Sequence, residues 1–308
     1  MQHHWKLEEV KIDRSWLTVG TFDGIHLGHQ EIIRCVTKGA KNNGVSSVVV
    51  TFFPPPAVVL HKRQNPYYLT SPEERALLLG KMGVDIVITH SFSTQVAQLS
   101  AYDFILRLHK QLGIEHLCIG HDFSLGKNRE GDARKLEIIG NELGFSLTVL
   151  PAMVVNGNVV SSTYIRQLLS KGEVDQIEHY LGRKYRLRGK VIQGDHRGKQ
   201  MGIPTANLEL WAERAVPKEG VYACRVIIGD ESWDAVANIG VRPTFEEHPV
   251  APRIEAHLIN FEGDLYGSDI EVEFLFRLRD ERKFSSAKDL VDQVHQDIKT
   301  TQVLLNGR

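Results

Sequence analysis

Apolar residues follow two different spacings along this chain, and the change falls near residue 185. Before it, short apolar runs alternate with segments whose apolar residues recur every three or four positions. Leu17–Phe22 reads as a buried strand, and Gly28 to about Ala40, with Ile32, Ile33 and Val36 at helical spacing, reads as a helix. Ser47–Phe53 is the next expected strand. Ser71-Pro72-Glu73-Glu74 supplies an N-cap, a proline at the first helical position and a capping-box glutamate for a helix over Arg75–Lys81. Asp85–Thr89, His116–Gly120 and Ser146–Leu150 are further runs of strand length. Helices opening at Ser100 and at Asp132, the second closed by Gly144, separate them. Five strands divided by helices predict a parallel, doubly wound α/β sheet. Asn156-Gly157 has the composition of a hairpin turn, and Ser161-Ser162-Thr163 caps a last helix pair running to about Gly182.

Past residue 185 the period becomes two. Tyr222, Cys224, Val226 and Ile228 share one face of one expected strand; Ile270, Val272, Phe274, Phe276 and Leu278 share one face of another. Several such strands joined by Gly/Pro/Asp-rich turns predict a small antiparallel β-barrel, followed by an amphipathic helix from Ser285 to about Leu304. The expected domains are therefore 1–182 and 183–308.

Composition narrows the class. At 308 residues, 42% hydrophobic and 24% charged, the chain is long enough for two cores, and disorder, collagen and small disulfide scaffolds are excluded. Cys35, Cys118 and Cys224 lie far apart in sequence without a CxxC pair, too few for a disulfide framework or a thiolate zinc site, which fits a reducing cytoplasm. The first sixteen residues lack a signal-peptide apolar region, and no uncharged apolar run of about 18 residues could span a bilayer, so no membrane partner is expected. Residues 1–182 are neutral and 183–308 carry a net −1, without the positive field of a nucleic-acid binder. The basic run Arg183–Lys190 reads as a solvated linker and strand start.

Two segments carry chemistry. Gly20-Thr-Phe-Asp-Gly-Ile-His26-Leu-Gly28-His29 joins the carboxyl end of the first expected strand to a helix N-terminus. Ligands bind there in open α/β sheets, and free backbone N–H groups with the helix dipole favour a phosphate. His26 and His29 place imidazole donors beside that anion, as nucleotidyl transfer requires. In the second half, the Thr205 hydroxyl and Asn207 carbonyl, two residues apart in the extended segment Gly202-Ile-Pro204-Thr205-Ala-Asn207, offer two neutral oxygens to a hard Mg²⁺ ion.

The HLGH segment resembles the HxGH signature of the nucleotidylyltransferase superfamily. Its context, with Thr51-Phe52, His121–Gly126, Gly131-Asp132 and Val160–Arg166 following in order, resembles the bacterial bifunctional riboflavin kinase/FAD synthetases. Gly202–Asn207 resembles the PTAN motif of flavokinases, with Gly189–Gly202, Gly220–Ala223, Asn238–Phe245, Glu255–Leu258 and Gly263–Gly267 in that module's order. The resemblance implies that riboflavin is phosphorylated with ATP to FMN and that FMN is adenylylated with ATP to FAD, both with Mg²⁺. It implies catalytic roles for His26, His29 and Glu255. It implies ATP contacts at Gly20, Phe22, Asp23, Gly28, Asp122, Ser162, Thr163 and Arg166, the last three on the phosphates. In the kinase it implies ATP and flavin contacts at Gly194, Gly202, Pro204, Thr205 and Asn207, with Thr205 and Asn207 as metal ligands. Alternatives are a chain that retains only kinase activity, and a non-catalytic flavin- or nucleotide-binding regulator. One departure bears on the first alternative: Pro55 stands where the family's TFxPHP segment has histidine, which removes a side-chain donor.

Overall fold

The computed structural model describes residues 1–61, 67–194, 202–240 and 253–306. Of these, 1–61 and 69–162 form one compact unit, and 67–68 and 163–306 another.

The first unit contains β1 (Gln2–His4), β2 (Ser15–Val19), α1 (Leu27–Asn43), β3 (Ser46–Phe52), α2 (Pro56–His61), α3 (Pro72–Lys81), β4 (Ile86–His90), α4 (Thr94–Ala97), α5 (Ala101–Leu112), β5 (Ile114–Gly120), α6 (Ala133–Leu143), β6 (Ser146–Leu150) and the hairpin β7 (Val154–Val155) and β8 (Asn158–Val159). The sheet order is β1-β4-β3-β2-β5-β6, and every pairing in it is parallel. Consecutive side chains of β3 bury on opposite faces. Val48 and Val50 join Leu17, Val19, Leu117 and Ile119 against Phe104, Leu108 and Ile139, whereas Val49 packs with Ile33, Ala76 and Leu79. Helices cover both faces, so an unbroken valine run is what this strand requires. The capping box at Ser71 and Glu74, the caps at Ser100 and Asp132, and the turn at Asn156-Gly157 form as expected.

Two expectations change. The N-terminal stretch, where the five expected strands include none, contributes β1, paired with β4 from Gln2↔Ile86 to His4↔Ile88. Three polar edge residues have no apolar period to reveal them. The first strand ends at Val19 rather than Phe22, because Phe22 takes a positive φ of 47° and turns the chain out of the sheet.

In the second unit, α7 (Ser162–Lys171) and α8 (Val174–Leu181, closed by Gly182 in the left-handed region) precede β9 (Tyr185–Ile192). Then come β10 (Ala206–Glu209), β11 (Gly220–Ile228), β12 (Glu231–Gly240), β13 (Arg253–Leu258), β14 (Asp269–Arg279) and α9 (Ala287–Asn306). The six strands close a barrel in the order β10-β13-β12-β11-β14-β9. Strict alternation along β14 fails. A register shift opposite Ala223/Cys224 pairs Phe274 with Cys224 but Phe276 with Ala223, so Phe276 leaves the face it was expected to share with Phe274.

Candidate active sites

The sheet order reverses between β2 and β5, and the loop carrying His26 and His29 leaves the carboxyl end of β2 at that point. Its course is set by buried anchors. Phe22 and Ile25 both take positive φ with their side chains enclosed. Gly24, at φ 78°, has no room for a side chain, since a Cβ there would stand 2.8 Å from Leu69 Cδ1. The buried Asp23 carboxylate accepts the backbone N–H groups of Leu69 and Thr70 at 3.0 Å and the Thr70 hydroxyl at 3.1 Å. Ser162 Oγ donates to the Asp23 main-chain carbonyl at 2.8 Å. These bonds make Asp23 the residue that holds the loop in place.

His26 is the N-cap of α1, and its Nδ1 accepts the backbone N–H of His29 at 3.2 Å. That bond places the proton of the neutral ring on Nε2. The two imidazoles stack with centroids 3.6 Å apart and planes at 17°, and a Cβ on Gly28 would approach the His26 ring to 3.3 Å. His29 Nδ1 is buried without a hydrogen-bond partner among the described residues. Burial, then His26 and Arg75, hold the His29 ring well below the usual imidazole pKa. The pair therefore presents neutral N–H donors at a helix N-terminus.

Beyond β5, Asp122 points its carboxylate into solvent, and Arg129 fastens the loop, donating to Ser124 Oγ at 2.7 Å and to the Asp122 carbonyl at 3.5 Å. The Gly20 N–H donates to the Val50 carbonyl at 3.0 Å. Pro55 is buried, and its carbonyl accepts N–H groups from Val58 and Val59 at the start of α2. Thr163 and Arg166 belong to the second compact unit, where Arg166 Nε donates to the Tyr67 carbonyl at 2.7 Å and its guanidinium lies 3.7 Å over the Tyr67 ring.

The barrel brings the second set together on its outer face. Asn207 of β10 stands opposite Glu255 of β13, and Glu255 stands opposite Asn238 of β12. The flanking Ile254, Ala256 and Leu258 turn into the barrel, so Glu255 occupies the face expected from alternation. Glu255 is partly exposed, with Arg253 Nη1 at 3.7 Å. Asn207 is 5% exposed although it points outward. The main chain at Gly194 lies over it so closely that a Cβ would stand 2.2 Å from Asn207 Nδ2. Asn207 Oδ1 is buried and has no hydrogen-bond partner among the described residues. An orphaned neutral carbonyl oxygen fits a hard divalent cation that takes its remaining ligands from phosphate and water. His257 Nδ1 lies 2.8 Å from the Pro204 carbonyl and ties the Pro204–Asn207 segment to β13. Gly202 turns at φ 74°. The parts of the Gly189–Gly202 and Asn238–Phe245 motifs at 195–201 and 241–245 lie outside the described residues.

Sequence reasoning assigned no role to Arg75, His257 or Asn238. Arg75 is fully enclosed in the first turn of α3, donating to Thr51 Oγ1 at 2.9 Å and to the Phe52 carbonyl at 3.3 Å. Nothing in a helical charge pattern marks such a residue. His257 was legible in principle, since it has the same strand parity as Glu255; placing Asn238 required the register.

Comparisons with known proteins match both halves of the chain. A family model described as FAD synthetase matches residues 9–164, and one described as riboflavin kinase matches 181–305. Proteins named bifunctional riboflavin kinase/FMN adenylyltransferase are similar throughout. That of Pseudomonas fluorescens is 38% identical over 93% of this chain and 92% of its own length. That of Bacillus subtilis is 35% identical over 96% and 93%. A crystal structure from Streptococcus pneumoniae, named a macrolide-efflux protein, superposes with a TM-score of 0.89 at 31% identity over 98% of both chains. Among the described residues of the present chain, no helix is long and apolar enough to cross a membrane.

Proposed function

This chain belongs to the bifunctional riboflavin kinase/FMN adenylyltransferase family, and from that premise we propose how its residues divide the two reactions. It phosphorylates riboflavin with ATP to FMN, then adenylylates FMN with ATP to FAD and pyrophosphate. The efflux name of the Streptococcus pneumoniae structure is not carried over, because the family models matched by this chain describe both of its halves as enzymes. We assign residues 1–182 to adenylyl transfer and 183–308 to the kinase, and we place the enzyme in the cytoplasm.

In adenylyl transfer an FMN phosphate oxygen attacks the α-phosphorus of ATP and pyrophosphate leaves. The second ionisation of a phosphate lies near pH ~6, so the nucleophile needs no base at neutral pH. What this site must supply is position and neutral donors for the charge that develops on phosphorus-bound oxygen. We give that task to His26 Nε2–H and to the His29 ring at the start of α1. Asp23 is assigned to holding the loop and Gly28 to making room for the His26 ring. Gly20, Phe22, Asp122, Ser162, Thr163 and Arg166 remain proposed ATP contacts.

In the kinase a primary alcohol attacks the γ-phosphorus and must lose its proton as the new bond forms, so a base is required. Glu255 is that base in our reading: its carboxylate takes the proton while the bond from the γ-phosphorus to the bridging oxygen breaks. Thr205 and Asn207 would hold Mg²⁺, which when bound offsets phosphate charge. Gly194 keeps Asn207 in place, while Gly202 and Pro204 carry the segment to it. The observation that carries the assignment is the register that sets Glu255 between Asn207, with its buried orphan oxygen, and Asn238.

The test is a time course of purified protein with riboflavin, ATP and Mg²⁺. FMN should rise first and FAD should follow. FMN alone would leave a kinase with a degenerate first unit, and neither product would leave a binding protein.

A further inference from the structure

Cysteines far apart in sequence come together in the first unit. Cys35, on α1, and Cys118, in the middle of β5, have their sulfurs 2.9 Å apart, both as free thiols. Cys35 is half-buried and reachable from solvent, and Cys118 is buried. Their positions matter to the site above them. Cys35 lies six residues past His29 on the same helix, and Cys118 lies two residues before Gly120, where the chain enters the His121-Asp122 loop. Helix and strand are packed together here, since a Cβ on Gly120 would meet Ile32 Cδ1 at 3.4 Å.

We propose that Cys35 and Cys118 form a reversible disulfide on exposure to hydrogen peroxide, tying α1 to β5 beneath the nucleotide loop and slowing adenylyl transfer. The chemistry is balanced by the peroxide. The Cys35 thiolate attacks one peroxide oxygen, the O–O bond breaks and hydroxide leaves, giving a sulfenic acid. Cys118 sulfur then attacks the Cys35 sulfur, the S–O bond breaks, and the departing hydroxide takes the Cys118 proton as water. Two thiols lose two electrons in total, and one peroxide becomes two waters.

The order of attack follows from the environment. The hydrogen bond between the thiols lowers the Cys35 pKa to about 7 and raises that of Cys118, which burial raises further. Cys35 is thus both the accessible sulfur and the one ionised near neutral pH. Cys224, buried in the barrel with its pKa pushed well up by burial, is an internal control in the same chain. A disulfide has its sulfurs about 2.05 Å apart, so forming the bond requires the two sulfurs, one on α1 and one on β5, to approach from the present 2.9 Å. Displacements of about 1 Å in a positioned reaction can lower its rate by about 10²-fold.

The experiment treats the full chain with a small excess of hydrogen peroxide and follows free thiols, intact mass and both activities. Three thiols should fall to one with a loss of two hydrogens, FAD formation from FMN should fall about 10–100-fold, and dithiothreitol should restore both. FMN formation should stay unchanged. Cys35→Ser should retain full FAD formation and lose the response to peroxide. Three persisting thiols, oxidation stopping at a Cys35 sulfinic acid, or a disulfide that leaves FAD formation unchanged would each overturn the proposal. The thiol count is independent of activity. The slowing rests on assigning adenylyl transfer to the first unit, and untreated enzyme making no FAD would refute that assignment separately.

Discussion

The guanidinium of Arg75 lies 4.0 Å from the Asp23 carboxylate, and both side chains are closed off from solvent. A buried charge left without its counterpart destabilises by about 3–5 kcal/mol, and Asp23 also holds the Leu69 and Thr70 N–H groups. Asp23→Ala is expected to lower the stability of the first unit by about that amount in urea unfolding. A residue that only touched ATP would instead raise the KM for ATP and leave the unfolding midpoint alone.

His29→Ala removes one of two stacked donors at the start of α1. Loss of such a donor slows reaction by about 10²–10³-fold, so FAD formation from supplied FMN should fall by that factor. FMN formation should persist at the normal rate. An equal fall in both, in a protein that still folds, would disprove the separation of the sites.

Burial also gives the first unit a pH dependence. The rings of His3, His29, His90 and His116 are all held below the usual value, with burial the largest cause in each. The unfolded chain therefore binds protons more readily than the folded one below pH ~6.5, and stability falls as pH drops through that range while being fully present above it. Melting temperatures measured from pH 7.5 to 5 should decline. His29→Gln should flatten that decline by up to about 1.4 kcal/mol per pH unit. An identical slope in this variant would mean that His29 is not held neutral.

The longer helices and most strands were legible because their signals are local: the valine run at 48–50, the capping box at Ser71, the glycine closing a helix at 144; the short helices Pro56–His61 and Thr94–Ala97 carry no such signal. The edge strand Gln2–His4 and the turn at Phe22 were not legible either, since one rests on backbone pairing and the other on a positive φ that the sequence does not display. At the sites, motif residues could be read but not their tasks. Asp23 sits in a nucleotide motif and holds a loop, Gly194 is required by the Asn207 side chain beneath it, and Arg75 looks like any helix cation. These tasks depend on contacts between residues 13 to 52 positions apart.

Glu255→Gln preserves shape and hydrogen-bonding reach while removing the base. FMN formation should drop by about 10²–10⁴-fold, and FAD synthesis from supplied FMN should continue. Near-normal kinase turnover in this variant would remove Glu255 from its role and leave it as a partly exposed strand carboxylate beside Arg253.

Two substitutions separate metal holding from packing at Asn207. Asn207→Ala deletes the orphaned oxygen and is expected to shift the Mg²⁺ concentration for half-maximal kinase activity upward by about tenfold or more, a loss of at least ~1.4 kcal/mol in affinity. Gly194→Ala leaves that oxygen in the sequence but drives a methyl group to 2.2 Å from Asn207 Nδ2, so the amide must move. If Asn207 acts through a fixed position, Gly194→Ala should raise the Mg²⁺ requirement too, with FAD synthesis from FMN unaffected. If Gly194 served substrate binding rather than the position of Asn207, the KM values for ATP or riboflavin would change while the Mg²⁺ titration stayed in place. Running both titrations at saturating ATP and riboflavin distinguishes the two outcomes.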